Sequence, residues 1–229
     1  IKGVKKGKQI TVFIEVKARF DEEANLRWGE KLEKAGIKVI YSFPGLKVHC
    51  KLALIIKNVD GENKFYSYLS TGNFNEKTAE IYCDYGFFTS DIRITREVSR
   101  IFSFLETVVL PDIEFEHLFV GQFNLREKIN EKIDREIENA QAGKEAYLLM
   151  KLNSLEDKEM VIKIYQAAQA GVKVDLIVRG ICCVVPNIEG ISMNIRAISI
   201  VDRYLEHARV YVFHNEGNRE IYLSSADLM

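Results

Sequence analysis

An excess of charge of either sign is missing from this sequence. Its 229 residues carry 32 Lys and Arg against 33 Asp and Glu, a formal net charge of −1. Bulk electrostatics therefore give no case for a nucleic-acid or membrane-surface partner, and a polyanion would have to bind a local basic cluster. Long apolar runs are missing too. None approaches the roughly 18 residues a membrane span needs, and there is no signal peptide. Cysteine is scarce, with four residues at positions 50, 83, 182 and 183. Two of them are adjacent, and a chain this long needs no staples, so a reduced compartment fits better than a disulfide framework. Cys50 reads as core filler. There is no P-loop, no Cys/His cluster at metal-ligand spacing and no glycine-rich kinase loop.

What is present is one constellation that occurs twice. The first copy is Arg19, then His49 and Lys51 in KVHCKLALII, then Ser70-Thr71-Gly72-Asn73. The second is Arg179, then His207 and Arg209 in YLEHARVYVF, then Ser224-Ser225-Ala226-Asp227. The Arg-to-His gaps are 30 and 28 residues, and the His-to-Asn/Asp gaps are 24 and 20. Two imidazoles, each with a cation two residues on, suggest one phosphorus site built by two related halves.

The hydrophobic pattern alternates strand and helix. Strands are expected over Ile10–Val16, Ile37–Tyr41, Val48–Ile56, Lys64–Leu69, Ala146–Leu152, Val172–Val178, Val210–Phe213 and Glu220–Leu223. Helices are expected over Asp21–Ala35, around Val98–Leu105, from Leu125 to Ile137 at four-residue spacing, and over Lys158–Ala170. Pro44-Gly45 and Asp60-Gly61 mark turns. Pro111 and the polar stretch to His117 read as the boundary between halves, giving domains 1–116 and 117–229. The second half has a strand, Ala146–Leu152, ahead of the one that ends at Arg179, and the first half has no counterpart. The chain also starts without Met and ends just after a motif. Both features read as a fragment of a larger protein, truncated at the start of its first domain and the end of its second.

On a strand, His49 and Lys51 at i and i+2 would share a face. A neutral imidazole nitrogen attacks phosphorus well, and the phosphoramidate it forms gives up its phosphoryl group readily. A nearby ammonium neutralises charge on the equatorial oxygens. Taken alone, the pair is equally a half-buried histidine beside a solvated lysine; the second copy favours function. Gly72 allows close approach of backbone to a phosphate, and Asn73 can donate to it, although an isolated STGN is more often an ordinary turn. Asp227, at the place matching Asn73, cannot donate when ionised and is expected to orient His207 or His49. Arg19 and Arg179 each end a strand run, where open α/β sheets place ligands. A guanidinium fork matches phosphate oxygens, but surface charge is the common fate of arginine. Lys151 is a weaker site candidate, Ser154 a candidate helix cap, and His117 and His214 read as structural or exposed.

The strings VKARFDEEANLRWGEKLEKAGIKVIY, GLKVHCKLALI, STGNFNEKTAEIYCDYGFFT, KLNSLED, VDLIVRGICCV and YLEHARVYVF…YLSSADLM resemble, in order and over nearly the whole chain, the C-terminal catalytic half of the large bacterial polyphosphate kinases, relatives of phospholipase D. The resemblance implies an α/β fold of two phospholipase D-like domains, each a mixed sheet flanked by helices. It implies reversible transfer of the ATP γ-phosphoryl group to inorganic polyphosphate through a phosphohistidine, with Mg²⁺. His49 matches the phosphorylated histidine. Arg19 matches an arginine of the magnesium–phosphate site, where a guanidinium must contact metal-bound phosphate rather than the metal. Tyr82, Arg179 and His207 match residues that contact ATP. The implied partners are ATP, ADP and polyphosphate, in a homo-oligomeric parent that is cytoplasmic, with membrane association as the alternative. The chain departs from the phospholipase D pattern H-x-K-x4-D, because Ile56 stands at the position of that Asp and Arg209 replaces the second Lys. This argues against the alternative reading, a phosphodiesterase or phosphatidyl transferase. A third reading is an inactive polyanion-binding fragment. If both halves build one site, His49 and His207 should face a common cleft, each on a strand of its own sheet.

Overall fold

The computed structural model describes residues 1–16, 22–43, 45–109 and 114–228. The expected turn at Pro44 and boundary at Pro111 fall outside the described residues. The mixed α/β class is the one observed.

A short 3-10 turn, Val4–Lys6, leads to β1 (Thr11–Ile14). Next, α1 (Glu22–Lys34) opens with Glu22 and Glu23, whose charge suits the positive end of the helix dipole. β2 (Lys38–Tyr41) then pairs parallel to β1, from Thr11↔Lys38 to Ile14↔Tyr41. On the apolar stripe of α1, Ala24 and Leu32 are half-buried, as is Ala35 just past its end, but Trp28 is 53% exposed, with the Lys31 ammonium 4.4 Å from its ring centroid.

β3 (Lys51–Val59) and β4 (Glu62–Ser70) form an antiparallel hairpin closed by Val59↔Glu62. Its two loop residues, Asp60 and Gly61, have φ of 53° and 86°. Two positive φ values in succession match the right-handed twist of the strands, which explains an Asp-Gly pair here. After the short α2 (Glu76–Ala79), capped by the Asn75 side chain, β5 (Gly86–Thr89) joins β4 to complete the order β3-β4-β5. α3 (Ile92–Thr107) follows.

α4 (Leu125–Gln141), β6 (Tyr147–Leu152), α5 (Lys158–Gln169), β7 (Lys173–Val178), β8 (Ile195–Ile198), β9 (Arg209–Phe213) and β10 (Glu220–Ser224) make the second sequence half. Its sheet has the order β10-β9-β6-β7-β8, with β6, β7 and β8 parallel and β9 and β10 antiparallel. The four-residue apolar spacing of α4 puts Ile129 and Ile133 into the main core. There they join Leu148 and Met150 of β6, Ile164 of α5, Leu176 of β7 and Phe213 of β9, all essentially inaccessible to solvent. The chain divides into two compact units, residues 1–49 with 98–114 and residues 50–97 with 115–229. The second unit therefore carries the β3-β4-β5 sheet as well as the five-stranded one.

Neither histidine of the repeat lies on a strand. β3 begins at Lys51 and β9 at Arg209, so His49 and His207 each stop two residues short. Ladder pairing ends because the partner strands end: Lys51 faces Ser70, the last residue of β4, and Arg209 faces Ser224, the last of β10. Cys50 is exposed rather than packed in a core.

Candidate active site

The two halves share a local design. In each, a cation starts the first strand of a hairpin and lies opposite the serine that ends the second strand. In each, that serine hydroxyl accepts the backbone N–H two residues on: Gly72 N to Ser70 Oγ at 3.0 Å, and Ala226 N to Ser224 Oγ at 3.1 Å. The sequence repeat is thus also a repeat of register and turn.

Both cations are buried, Lys51 at 7% and Arg209 at 4% exposure. A buried charge requires a hydrogen-bonded partner. Arg209 finds it in Asp227, through Nε at 2.9 Å and a terminal nitrogen at 2.8 Å. Asp227 also accepts the backbone N–H of Asn153 at 2.8 Å. Burial alone would raise the Asp227 pKa, but the Arg209 fork and the N–H groups of Asn153 and Ser154 outweigh it and hold it below the ordinary carboxylate range. Asp227 was expected to orient a histidine; the structure gives it to Arg209, because a planar guanidinium matches a carboxylate in two bonds. Arg209, the cation of the second repeat and so a candidate phosphate ligand, has its charge matched within the protein by Asp227 and also donates to the His207 carbonyl at 2.8 Å.

In the first half Asn73 is exposed. Asp84 is the carboxylate near Lys51. Its pKa is raised by burial, which outweighs the pull of the Lys51 charge and the Thr71 hydrogen bond. Gly72 has to be glycine here, since a Cβ would fall 2.1 Å from Asp84 Oδ2.

Arg179 directly follows β7, and its guanidinium donates to Asn153 Oδ1. The same oxygen lies 3.2 Å from His207 Nδ1. Because that oxygen only accepts, the proton of neutral His207 sits on Nδ1 and the basic lone pair on Nε2. The Tyr82 ring meets His207 edge-on, with centroids 5.2 Å apart. Tyr82 is held there by a bridge to Leu205, with Cys83 N donating to Leu205 O at 2.9 Å and Leu205 N to Ile81 O at 2.8 Å. Lys151, on β6, pairs with Glu206 at 3.0 Å and donates to the Ala208 carbonyl at 3.1 Å. The residues on both sides of His207 are thereby pinned. Gly180 lets the chain after Arg179 press on Asn153, since a Cβ there would lie 2.8 Å from the Asn153 carbonyl oxygen.

The second unit therefore brings together Tyr82, Arg179, His207 and Arg209, from sites that span 128 positions of sequence (82 to 209). His49 is exposed and belongs to the first unit. Arg19 lies outside the described residues. Asn153 was missed in the sequence; its only advance signal was its place at the carboxyl end of a strand. Among the described residues no group of three or more His, Cys, Asp and Glu is placed to hold a metal ion. The donors gathered here are guanidinium, imidazole, phenol and amide groups, which suit phosphate oxygens and do not make a Mg²⁺ cage.

Two family models match the chain: "Polyphosphate kinase C-terminal domain 1" over residues 1–110 and "Polyphosphate kinase C-terminal domain 2" over residues 118–229. The chain belongs to the polyphosphate kinase family. It is 54% identical to the polyphosphate kinase of Escherichia coli K12 over 97% of its own length, which is 32% of that relative. It is 49% identical to the Vibrio parahaemolyticus polyphosphate kinase over its whole length, 33% of that relative. The crystal structure of polyphosphate kinase from Porphyromonas gingivalis superposes with a TM-score of 0.88 at 47% identity, covering 99% of this chain and 37% of that one. The chain thus spans about a third of the length of the curated polyphosphate kinases it matches.

Proposed function

We propose that this chain is the catalytic part of a longer enzyme that transfers the γ-phosphoryl group of ATP to inorganic polyphosphate and back. The observation that carries the reading is that Arg179 and His207 meet on one amide oxygen, with Tyr82 edge-on to the imidazole, in a member of the polyphosphate kinase family. His49 is the nucleophile. Its ring nitrogen forms a bond to the γ-phosphorus as the bond to the β–γ bridging oxygen breaks, and ADP leaves. An oxygen at the end of a polyphosphate chain then attacks the same phosphorus, the N–P bond breaks, and His49 is restored. Arg179, Lys51 and Arg19 neutralise the transferred group, Asn73 donates a hydrogen bond to it, and Tyr82 helps hold the nucleotide. His207, in its protonated form, donates its Nε2–H to the leaving oxygen of ADP, while its Nδ1–H stays on Asn153 Oδ1. Arg209 shapes the His207 backbone. Mg²⁺ enters as part of the nucleotide substrate, and the described residues are assigned no step through it. Residues 1–116 and 117–229 are the two catalytic domains, within a homo-oligomeric cytoplasmic parent.

Incubating the longer protein with γ-labelled ATP is expected to give an acid-labile, base-stable label on His49. Label that persists at full level in His49→Ala would remove His49 from this role.

A further inference from the structure

The His207 ring is fixed by a closed circuit of hydrogen bonds rather than by a carboxylate. The ring Nδ1 meets Asn153 Oδ1 at 3.2 Å. The Asn153 backbone N–H meets Asp227 at 2.8 Å, Asp227 holds Arg209 in two bonds, and Arg209 returns to the His207 carbonyl at 2.8 Å. Asn153 is the corner of this circuit, and its one side-chain oxygen also takes the Arg179 guanidinium. Its amide nitrogen is turned to Ser154 Oγ at 3.4 Å, which fixes the orientation of the amide. The residue stands directly after β6, with its backbone clamped by Asp227 on one side and by Gly180 N, donating to its carbonyl at 2.7 Å, on the other.

We propose that Asn153 is a positioning residue that sets Arg179 and His207 in register through a single shared oxygen and takes the His207 Nδ1–H, so that the Nε2–H of the protonated ring is presented to the leaving oxygen. The proposal rests on the assignment of His207 to the leaving oxygen. An oxygen that accepts two donors ties the position of the phosphate-binding guanidinium to that of the imidazole: neither can move without weakening its bond to Asn153. The choice of an amide over a carboxylate has a chemical meaning. A carboxylate would add negative charge beside the imidazole and favour its protonated form. The charged groups already around His207 are Arg179 at the shared oxygen, the Arg209–Asp227 pair behind its carbonyl, and the Lys151–Glu206 pair alongside, with the Tyr82 phenol against the ring. The Arg209–Asp227 and Lys151–Glu206 pairs are each neutral overall, and a neutral amide at position 153 adds no further charge beside the ring.

The test compares Asn153→Ala, Asn153→Asp and His207→Gln in the longer protein, with ATP and a polyphosphate primer, by pH profiles of kcat and kcat/KM. Asn153→Ala is expected to lower kcat about 10- to 100-fold and to raise the KM for ATP, because both held groups are released. Asn153→Asp keeps the acceptor and its size, so it should recover most of kcat while moving the alkaline limb of the profile to higher pH. That limb should disappear in His207→Gln. Thermal unfolding of each variant reports whether it is folded, and the Asp variant carries the test if the Ala variant is not. The proposal is overturned if Asn153→Ala stays within twofold of the parent, or if Asn153→Asp retains activity with an unshifted profile. A His207→Gln variant with an unchanged rate and profile would instead overturn the role given to His207, and the proposal with it.

Discussion

A carboxylate that is 9% exposed and holds a guanidinium that is 4% exposed cannot take up a proton without stranding its partner. Asp227 titrates below the ordinary carboxylate range in the folded chain: burial opposes this, and the Arg209 fork and two backbone N–H groups decide it. A depressed folded pKa means that its contribution to stability is complete above the unfolded value of about 3.9 and is lost as pH falls through the lower folded value. Denaturant midpoints measured from pH 6 downwards should therefore fall more steeply in the parent than in Asp227→Asn. At pH 7 the same variant should lose about 3–5 kcal/mol, because it leaves Arg209 buried without its anion. Equal stability of parent and variant at pH 7 would show that the pair contributes nothing.

At the scale of elements, α4 and α5 hold the five-stranded sheet through a few fully buried aliphatic side chains. Ile133 has no accessible surface, whereas Ile162 on α5 is 45% exposed. Ile133→Ala is expected to cost about 2–5 kcal/mol, and Ile162→Ala no more than about 0.5 kcal/mol, in denaturant unfolding. Similar losses at both positions would contradict the assigned core. Helix spacing made α4 readable in the sequence, and alternation with β-branched residues did the same for β6, β7 and the hairpins. β8 went unread because Ile195–Ile198 is a short edge strand with alternating exposure and a charged residue at Arg196. Trp28 shares the helical spacing of Ala24 and Leu32, yet it is exposed. The His-x-cation spacing was visible, but the strand start was not, since it depends on where the facing strand runs out. The Asn153 circuit could not be read at all: its bonds join positions 153, 179, 207, 209 and 227, and no local pattern specifies them.

For the molecule as a whole, near-neutral net charge means that attraction for a polyanion comes from a few placed cations. With Lys51, Arg179 and Arg19 as the phosphate contacts, polyphosphate binding by the longer protein should weaken with salt at a log–log slope of about 2, taking ~0.7 per contact as for single-stranded nucleic acid. Arg179→Ala should reduce that slope by about 0.7. A slope several times larger, unchanged in this variant, would locate binding on another surface.

The bridge from Tyr82 to Leu205 also sets an order of events during synthesis. The two residues are 123 positions apart, and closing so long a loop costs entropy that only later contacts repay. The β3-β4 hairpin, closed by two residues, can form as it leaves the ribosome, but the edge-on contact of Tyr82 with His207 must wait until the chain has grown 125 residues beyond Tyr82. A nascent chain that already displays His49 would then still lack His207 and Arg209, and could not carry out the transfer assigned to the finished site.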